Sequence, residues 1–155
     1  MAHYLWEGVM PDSIDVANHF LTLEGEAGEI SNLKLQKLVY YAQGFSLALL
    51  GKPLFEDRIE AWMHGPVVPE LYRCFSQHGS NPIPAPALFK PTMFSREQSR
   101  LIAEVFEVYG QYSAWKLRQL THEEDPWRDN YREGAFSREI PRHEMERYFR
   151  NHLVN

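Results

Sequence analysis

The sequence predicts a mainly α-helical protein, a single compact domain over residues 1–155 with about six helices and a small antiparallel β-sheet or hairpin. Three observations point there. Apolar residues recur at steps of three and four in several separate windows, the spacing that places them on one side of a helix. Those windows open on Ser or Asp and close on Gly or Pro, the residues that cap and stop helices. One stretch, Arg58–Met63, alternates polar and apolar as a half-buried strand does.

Taken in order, Met1–Pro11 reads as a short tail or strand. Asp12 caps a first helix with Ile14, Ala17, Phe20 and Leu21 on one face, and Asp15 places negative charge near the positive end of its dipole. This helix is expected to stop near Leu23, because Glu24–Glu29 is an acidic loop broken by Gly25 and Gly28. The strongest element follows, capped by Ser31 or Asn32 and running from Leu33 to Leu50. Leu35, Leu38, Ala42, Phe45 and Leu49 form its main stripe, Val39 and Ala48 widen it, and Leu33, Tyr40 and Leu47 fall on a second side. A helix apolar on more than one side is expected at the centre of its domain. Gly44 permits close approach of another helix, and Gly51 is placed to end this one.

Lys52–Phe55 turns into the strand, and His64-Gly65-Pro66 reads as a tight turn. Pro69 suits the first turn of a helix from Glu70 to about Gln77, with Leu71, Tyr72 and Phe75 inward. Pro82, Pro84, Pro86 and Pro91 exclude a helix or central strand from Gly79 to Pro91, which leaves a long surface loop. Ser95 and Gln98 have capping-box spacing and open a helix to about Tyr109, with Leu101, Ile102, Val105 and Val108 inward. Gly110 breaks it. Ser113 caps a shorter helix carrying Ala114, Leu117 and Leu120, which Pro126 forbids to continue. Tyr131–Ser137 reads as irregular, and Ile140 adds a strand residue. Pro141 starts a terminal helix with Met145, Tyr148, Phe149 and Leu153 on one side and Glu146 to Arg150 as a helical pair.

At 44% hydrophobic and 14% aromatic residues, the chain can bury a core, which excludes wholesale disorder. No window approaches 18 consecutive apolar residues, so no membrane span is expected. The net charge of −5 argues against a broad nucleic-acid surface, and the arginines near the end are interleaved with acids. Residues 1–33 hold acids but no Lys or Arg, which suits neither a signal nor a transit peptide, so a cytoplasmic protein is expected. Cys74 has no second cysteine to pair with; between Tyr72 and Phe75 it reads as a small buried hydrophobe.

Catalytic signals are sparse. The seven histidines form no H-E-x-x-H, one cysteine cannot build a thiolate zinc site, and no nucleophile elbow or glycine-rich phosphate loop is present. No catalytic residue, cofactor or metal is therefore expected. His122 with Glu123, Glu124 and Asp125 is the one dense His/acid cluster. It reads either as ligands or acid–base groups, or as a helix end where histidine meets the dipole and the acids face water. A metal-dependent enzyme using His64, His122 and Asp125 is the enzymatic alternative. Interaction residues are more numerous: Lys34, Lys37, Tyr40 and Tyr41 surround the central helix, and Trp62, His64, Tyr72 and Trp127 are amphipathic aromatics.

These segments also resemble a known family. Asp15-Val16-Ala17-Asn18 followed by Leu33-Lys34-Leu35-Gln36-Lys37-Leu38-Val39-Tyr40-Tyr41-Ala42-Gln43-Gly44 is similar to the start of the Panacea antitoxin domain, also described as SocA-like or GepA-like phage-associated proteins. Gly51-Lys52-Pro53-Leu54-Phe55 and Glu60-Ala61-Trp62-Met63-His64-Gly65-Pro66-Val67-Val68-Pro69-Glu70-Leu71-Tyr72 resemble its central motif, and Leu120-Thr121-His122 with Pro126-Trp127 its late motif. The resemblance covers about Asp12 to Phe149. It implies a mostly helical antitoxin of bacteria or prophages that neutralises a toxin encoded beside it by direct binding. One branch acts instead as an adaptor that delivers its toxin to a cytoplasmic protease, which is the alternative. Many members carry an added DNA-binding domain for which this length leaves no room, so no direct nucleic-acid binding is expected. Among the motif residues, Leu35, Leu38, Tyr41, Ala42 and Trp62 are expected in the core, with Trp127 as a further structural residue. Gly65-Pro66 is expected to fix the turn that presents His64. Lys34, Lys37, Tyr40, His64, Tyr72 and His122 are the expected toxin contacts.

Overall fold

Local chemistry sets the first helix. The Asp12 carboxylate accepts from the Asp15 backbone N–H at 2.9 Å, and the Asp15 carboxylate accepts from the Asp12 N–H at 3.0 Å. This reciprocal cap opens α1, Ser13–Glu24. The computed structural model describes residues 10–134 and 137–153, so most of the expected Met1–Pro11 tail or strand and part of the irregular Tyr131–Ser137 stretch lie outside it. Removing one side of such a cap costs about 1 kcal/mol. Asp12→Ala is accordingly expected to lower the stability of the whole protein by about that amount, read as a shift of the urea midpoint at unchanged slope.

Ser31 caps α2, Asn32–Phe45, through its hydroxyl, which accepts from the Lys34 N–H. The chain then makes one wider π turn over Ser46–Leu50 and ends at Gly51 in the left-handed conformation (φ 73°). The expected continuous helix to Leu50 thus loses α geometry at Ser46, whose hydroxyl donates to Lys52 O at 2.7 Å and draws the following turn back. Strands β1, Glu60–Trp62, and β2, Gly65–Val67, form a short antiparallel hairpin with Trp62 opposite Gly65. Gly65 and Pro66 therefore belong to a strand and not only to the turn, which is Met63-His64. Proline is admitted there because β2 is the edge of a sheet ordered β2-β1-β3.

The remaining helices are α3, Pro69–Phe75, α4, Arg96–Tyr109, α5, Ala114–His122, α6, Asp125–Arg128, and α7, Arg142–Asn151. Strand β3, Arg138–Glu139, pairs with β1, and the Ile140 N–H donates to Ile59 O just beyond it. The described residues thus hold seven α-helices, one more than the expected six. The extra one is α6, where Pro126 sits in the first turn and starts a helix after having ended the previous one. Cys74 is exposed, against expectation. Helix α3 buries only Pro69 and Leu71, and its short apolar run is a partly open rim.

Everything packs around α2, which touches α1, α3, α4, α5, α7 and β2. Leu35, Leu38, Val39, Tyr40, Tyr41 and Ala42 are all fully enclosed. Gly44 lies against the Phe149 ring of α7, with no space for a Cβ between them. No helix among the described residues is long and apolar enough to cross a membrane.

Candidate functional site

The polar side chains of α2 explain how the loops around it are held. Asn32 donates to Tyr72 O, and Gln36 accepts from the Val68 N–H while donating to Asn32. Lys34 reaches across to Gly110 O at 2.7 Å and pins the turn between α4 and α5. Gln43 donates to Phe55 O and accepts from the Leu54 N–H. These contacts fix the hairpin and α3 beside the start of α2, and a cleft of about 650 Å³ remains between them. Trp62, Met63, His64 and Tyr72 form one wall, with Asn32 and Leu33 of α2 opposite. The Trp62 and Tyr72 rings meet edge to face at 5.2 Å. Met63 and Tyr72 expose 58% and 36% of their surface there, which leaves apolar area available to a partner.

Behind the hairpin lies a second group of residues. Trp127 donates its Nε1–H to Trp62 O at 2.6 Å, stacks on His122 at 3.8 Å between centroids, and stacks on Tyr131 at 4.7 Å on its other face. Arg118 donates through Nε to His64 Nδ1 at 3.1 Å and lies over the Trp115 ring. Gly65 adopts φ 116° and passes directly over Lys37; a Cβ there would lie 2.5 Å from Lys37 Cε and 3.0 Å from Thr121 Oγ1. A glycine is required on both counts. Burial and the Arg118 charge bring the Lys37 ammonium down to about 7. His122 falls to about 4, through burial first and then the charges of Arg118 and Lys37.

A third feature escaped the sequence reading. Glu124 was expected to face water with its acidic neighbours. Instead it turns inward and accepts hydrogen bonds from Tyr41 at 2.8 Å and Tyr40 at 3.2 Å. Helix α5 ends at His122, and the reversal into α6 aims this one acid at α2 while Glu123 and Asp125 stay exposed. Burial lifts Glu124 to about 7. Burial, and then Glu124 itself, push both phenols well above the ordinary tyrosine range. Two adjacent tyrosines on a helix buried all round must find acceptors, and the acid-rich segment was the evident source.

The expected contact residues therefore separate. His64 is exposed and Tyr72 sits at the rim, both in the cleft wall. Lys34, Lys37 and Tyr40 are interior groups, at 7%, 0% and 0% exposure, because α2 has no solvent face. As the molecule stands they offer no surface to a docking protein. His122 is half-buried with Nε2 enclosed. Of the expected core residues, Leu35, Leu38 and Tyr41 are fully enclosed and Trp127 nearly so, whereas Trp62 is half-open and part of the cleft. His64, His122 and Asp125 do not converge; among the described residues no group of three or more His, Cys, Asp or Glu is placed to hold a metal ion.

Comparisons with known proteins coincide with this region. The antitoxin SocA of Caulobacter vibrioides (strain NA1000 / CB15N) is 49% identical to the chain over 75 residues, which is 44% of this chain and 39% of that relative. The match therefore spans well under half of the relative's length. No solved structure matches. Residues 35–128, from the first turn of α2 to the end of α6, match the family described as antitoxin SocA-like, Panacea domain. That span is more than half of the protein and contains the hairpin, Lys37, His122 and Glu124, and the chain belongs to this family.

Proposed function

We propose that the chain is an antitoxin that neutralises a toxin protein encoded beside it by direct, non-catalytic binding, and that the Trp62–Tyr72 cleft is where the toxin docks. One observation carries this reading. Inside the family-matched span, a rigid framework holds open an apolar, aromatic-walled cleft of a size that takes a protruding segment of another protein. Trp62 and Tyr72 are of the residue type that dominates binding energy when buried by a partner, and His64 and Asn32 supply polar groups at the edge. The family supports this class of partner, and the cleft supports this place for it.

Co-expression with the neighbouring gene tests it. The chain is expected to restore growth and to co-purify with the toxin in fixed stoichiometry. Tyr72→Ala and Met63→Asp alter exposed side chains, so folding should be retained. Each is expected to weaken binding at least tenfold, about 1.4 kcal/mol, in calorimetric titration. Leu88→Ala, on a side chain 92% exposed in the proline-rich loop, should change nothing. Full affinity in both cleft variants would remove the cleft from the interface. A toxin whose lifetime shortens when the chain is present would favour delivery to a protease over simple occupancy.

A further inference from the structure

The lining of the Trp62–Tyr72 cleft holds no Asp or Glu, in a chain that carries 21 of them. Leu33, Trp62, Met63, Val67, Tyr72 and Ala114 make it mostly carbon. Glu60, two residues before Trp62, is buried and already matched by Arg58 and by the Trp62 Nε1–H. Arg58, Arg128, Arg142 and Arg150 each reach a carboxylate, whereas Arg118, among the described residues, reaches none. Its Nε–H donates to His64 Nδ1 at 3.1 Å, and its guanidinium lies over the Trp115 ring, 4.8 Å from the centroid. Arginine can only donate, so His64 accepts at Nδ1 and carries its ring proton on Nε2. The bond uses Nε alone and leaves the two terminal nitrogens of the fork free among the described residues.

Side chains on a helix lean toward its N-terminus, so Arg118 lies over the first turn of α5, where Ala114 lines the cleft. His64, exposed in the cleft wall, holds it from the other side. Two donors, one of them permanently charged, thus meet at the mouth of an apolar slot and are held there by neighbouring rings before any partner arrives. Their charge and geometry complement a carboxylate. We propose that the cleft takes an acidic segment of the toxin. An Asp or Glu carboxylate is bound at the mouth by the Arg118 fork and the His64 Nε2–H, and an apolar side chain beside it fills the slot between Trp62 and Tyr72. This deepens the assignment of the cleft as the toxin-binding face and rests on it for the identity of the partner. A nucleic-acid strand is the poorer match. It asks for a row of cations along its phosphates, and this mouth offers one guanidinium and one imidazole on a chain of net charge −5.

The test has two arms. In the free protein, the Arg118 15Nε and His64 15Nε2 resonances are followed as acetyl-Leu-Glu-Leu-amide or its Gln counterpart is added. The acidic peptide should shift both and bind roughly fivefold or more tightly than the neutral one. Equal responses overturn the carboxylate site, as does tighter binding of a single-stranded oligodeoxynucleotide. In the second arm, toxin binding is measured calorimetrically at low and moderate sodium chloride, and wild-type affinity should fall as salt rises. Arg118 is half-exposed, so Arg118→Gln should keep the fold. It should bind about tenfold or more weakly and lose most of the salt dependence, and Arg118→Lys should recover part of both. An Arg118→Gln protein that binds weakly but keeps the wild-type salt dependence, with no recovery by lysine, has lost packing only and overturns the proposal. Wild-type affinity in Arg118→Gln beside weak binding in Tyr72→Ala also overturns it, and leaves the docking cleft intact. A wild-type chain that binds no toxin defeats the docking assignment instead, and the peptide arm still decides the carboxylate site.

Discussion

At pH 8, Glu124→Gln is expected to be more stable than the wild type by about 3 kcal/mol, and at pH 4.5 the two should be nearly equal. Glu124 is largely buried against Tyr40 and Tyr41 at the start of α6, and burial raises its carboxyl from an ordinary 4.5 to about 7. Its neutral form is the one the fold accommodates. Stability from this group is complete below pH 4.5, where folded and unfolded chains are both protonated. It is lost as pH rises through 7, because only the unfolded chain can ionise freely. Glutamine imitates the neutral acid and has no proton to lose. Other groups move the absolute profile the other way: His122 and His19 are both lowered by burial, so their contributions grow as pH rises through the ordinary histidine range. The difference between variant and wild type cancels those groups, so urea unfolding of both proteins from pH 4.5 to 8 isolates Glu124. A variant less stable at every pH would mean that the carboxylate is ionised and held by the two phenols.

Gly44→Ala should cost the fold about 1–2 kcal/mol, the net of overpacking and helix propensity. Two effects compete. Alanine is the better helix former by about 1 kcal/mol, which favours the variant. Against that, the new Cβ would overlap three atoms of the Phe149 ring. Phe149 is 2% exposed and hemmed in by the rings of Tyr40, Tyr41, Phe45 and Tyr148, so it cannot step aside without displacing others. Overpacking of this kind costs about 1–3 kcal/mol and sometimes more, so the overlap outweighs the propensity gain. Phe149→Leu in the Gly44→Ala background should recover part of the loss, giving a favourable coupling in a double-mutant cycle. A Gly44→Ala protein as stable as wild type would place α7 elsewhere.

The features legible in the sequence are those decided by near neighbours. Asp12, Ser31, Ser95 and Ser113 cap the helices they were expected to cap, since a cap bonds within three residues. Gly51 ends the central helix for the same local reason. Features decided across the fold were hidden. The strand character of Gly65 and Pro66 depends on pairing with Trp62 and Ala61, and nothing within the dipeptide signals it. Periodicity located the apolar stripes of α2, but it could not show that the sides bearing Lys34, Lys37 and Gln36 are covered too. Within the cleft, Trp62, His64 and Tyr72 stood out by residue type. The packing behind them, where Gly65, Thr121 and Arg118 meet Lys37, draws on segments far from Lys37 in the sequence and could be seen only once folded.

The hydrogen bonds that complete the central helix come almost wholly from residues synthesised after it. Gly110 receives Lys34 and Glu124 receives the two phenols, 76 to 84 residues downstream. A polypeptide leaving the ribosome therefore exposes the helix that will be most deeply buried long before the atoms that settle it exist. Native folding must wait until Glu124 has cleared the exit tunnel, and until then the newborn chain is open to chaperones and proteases alike.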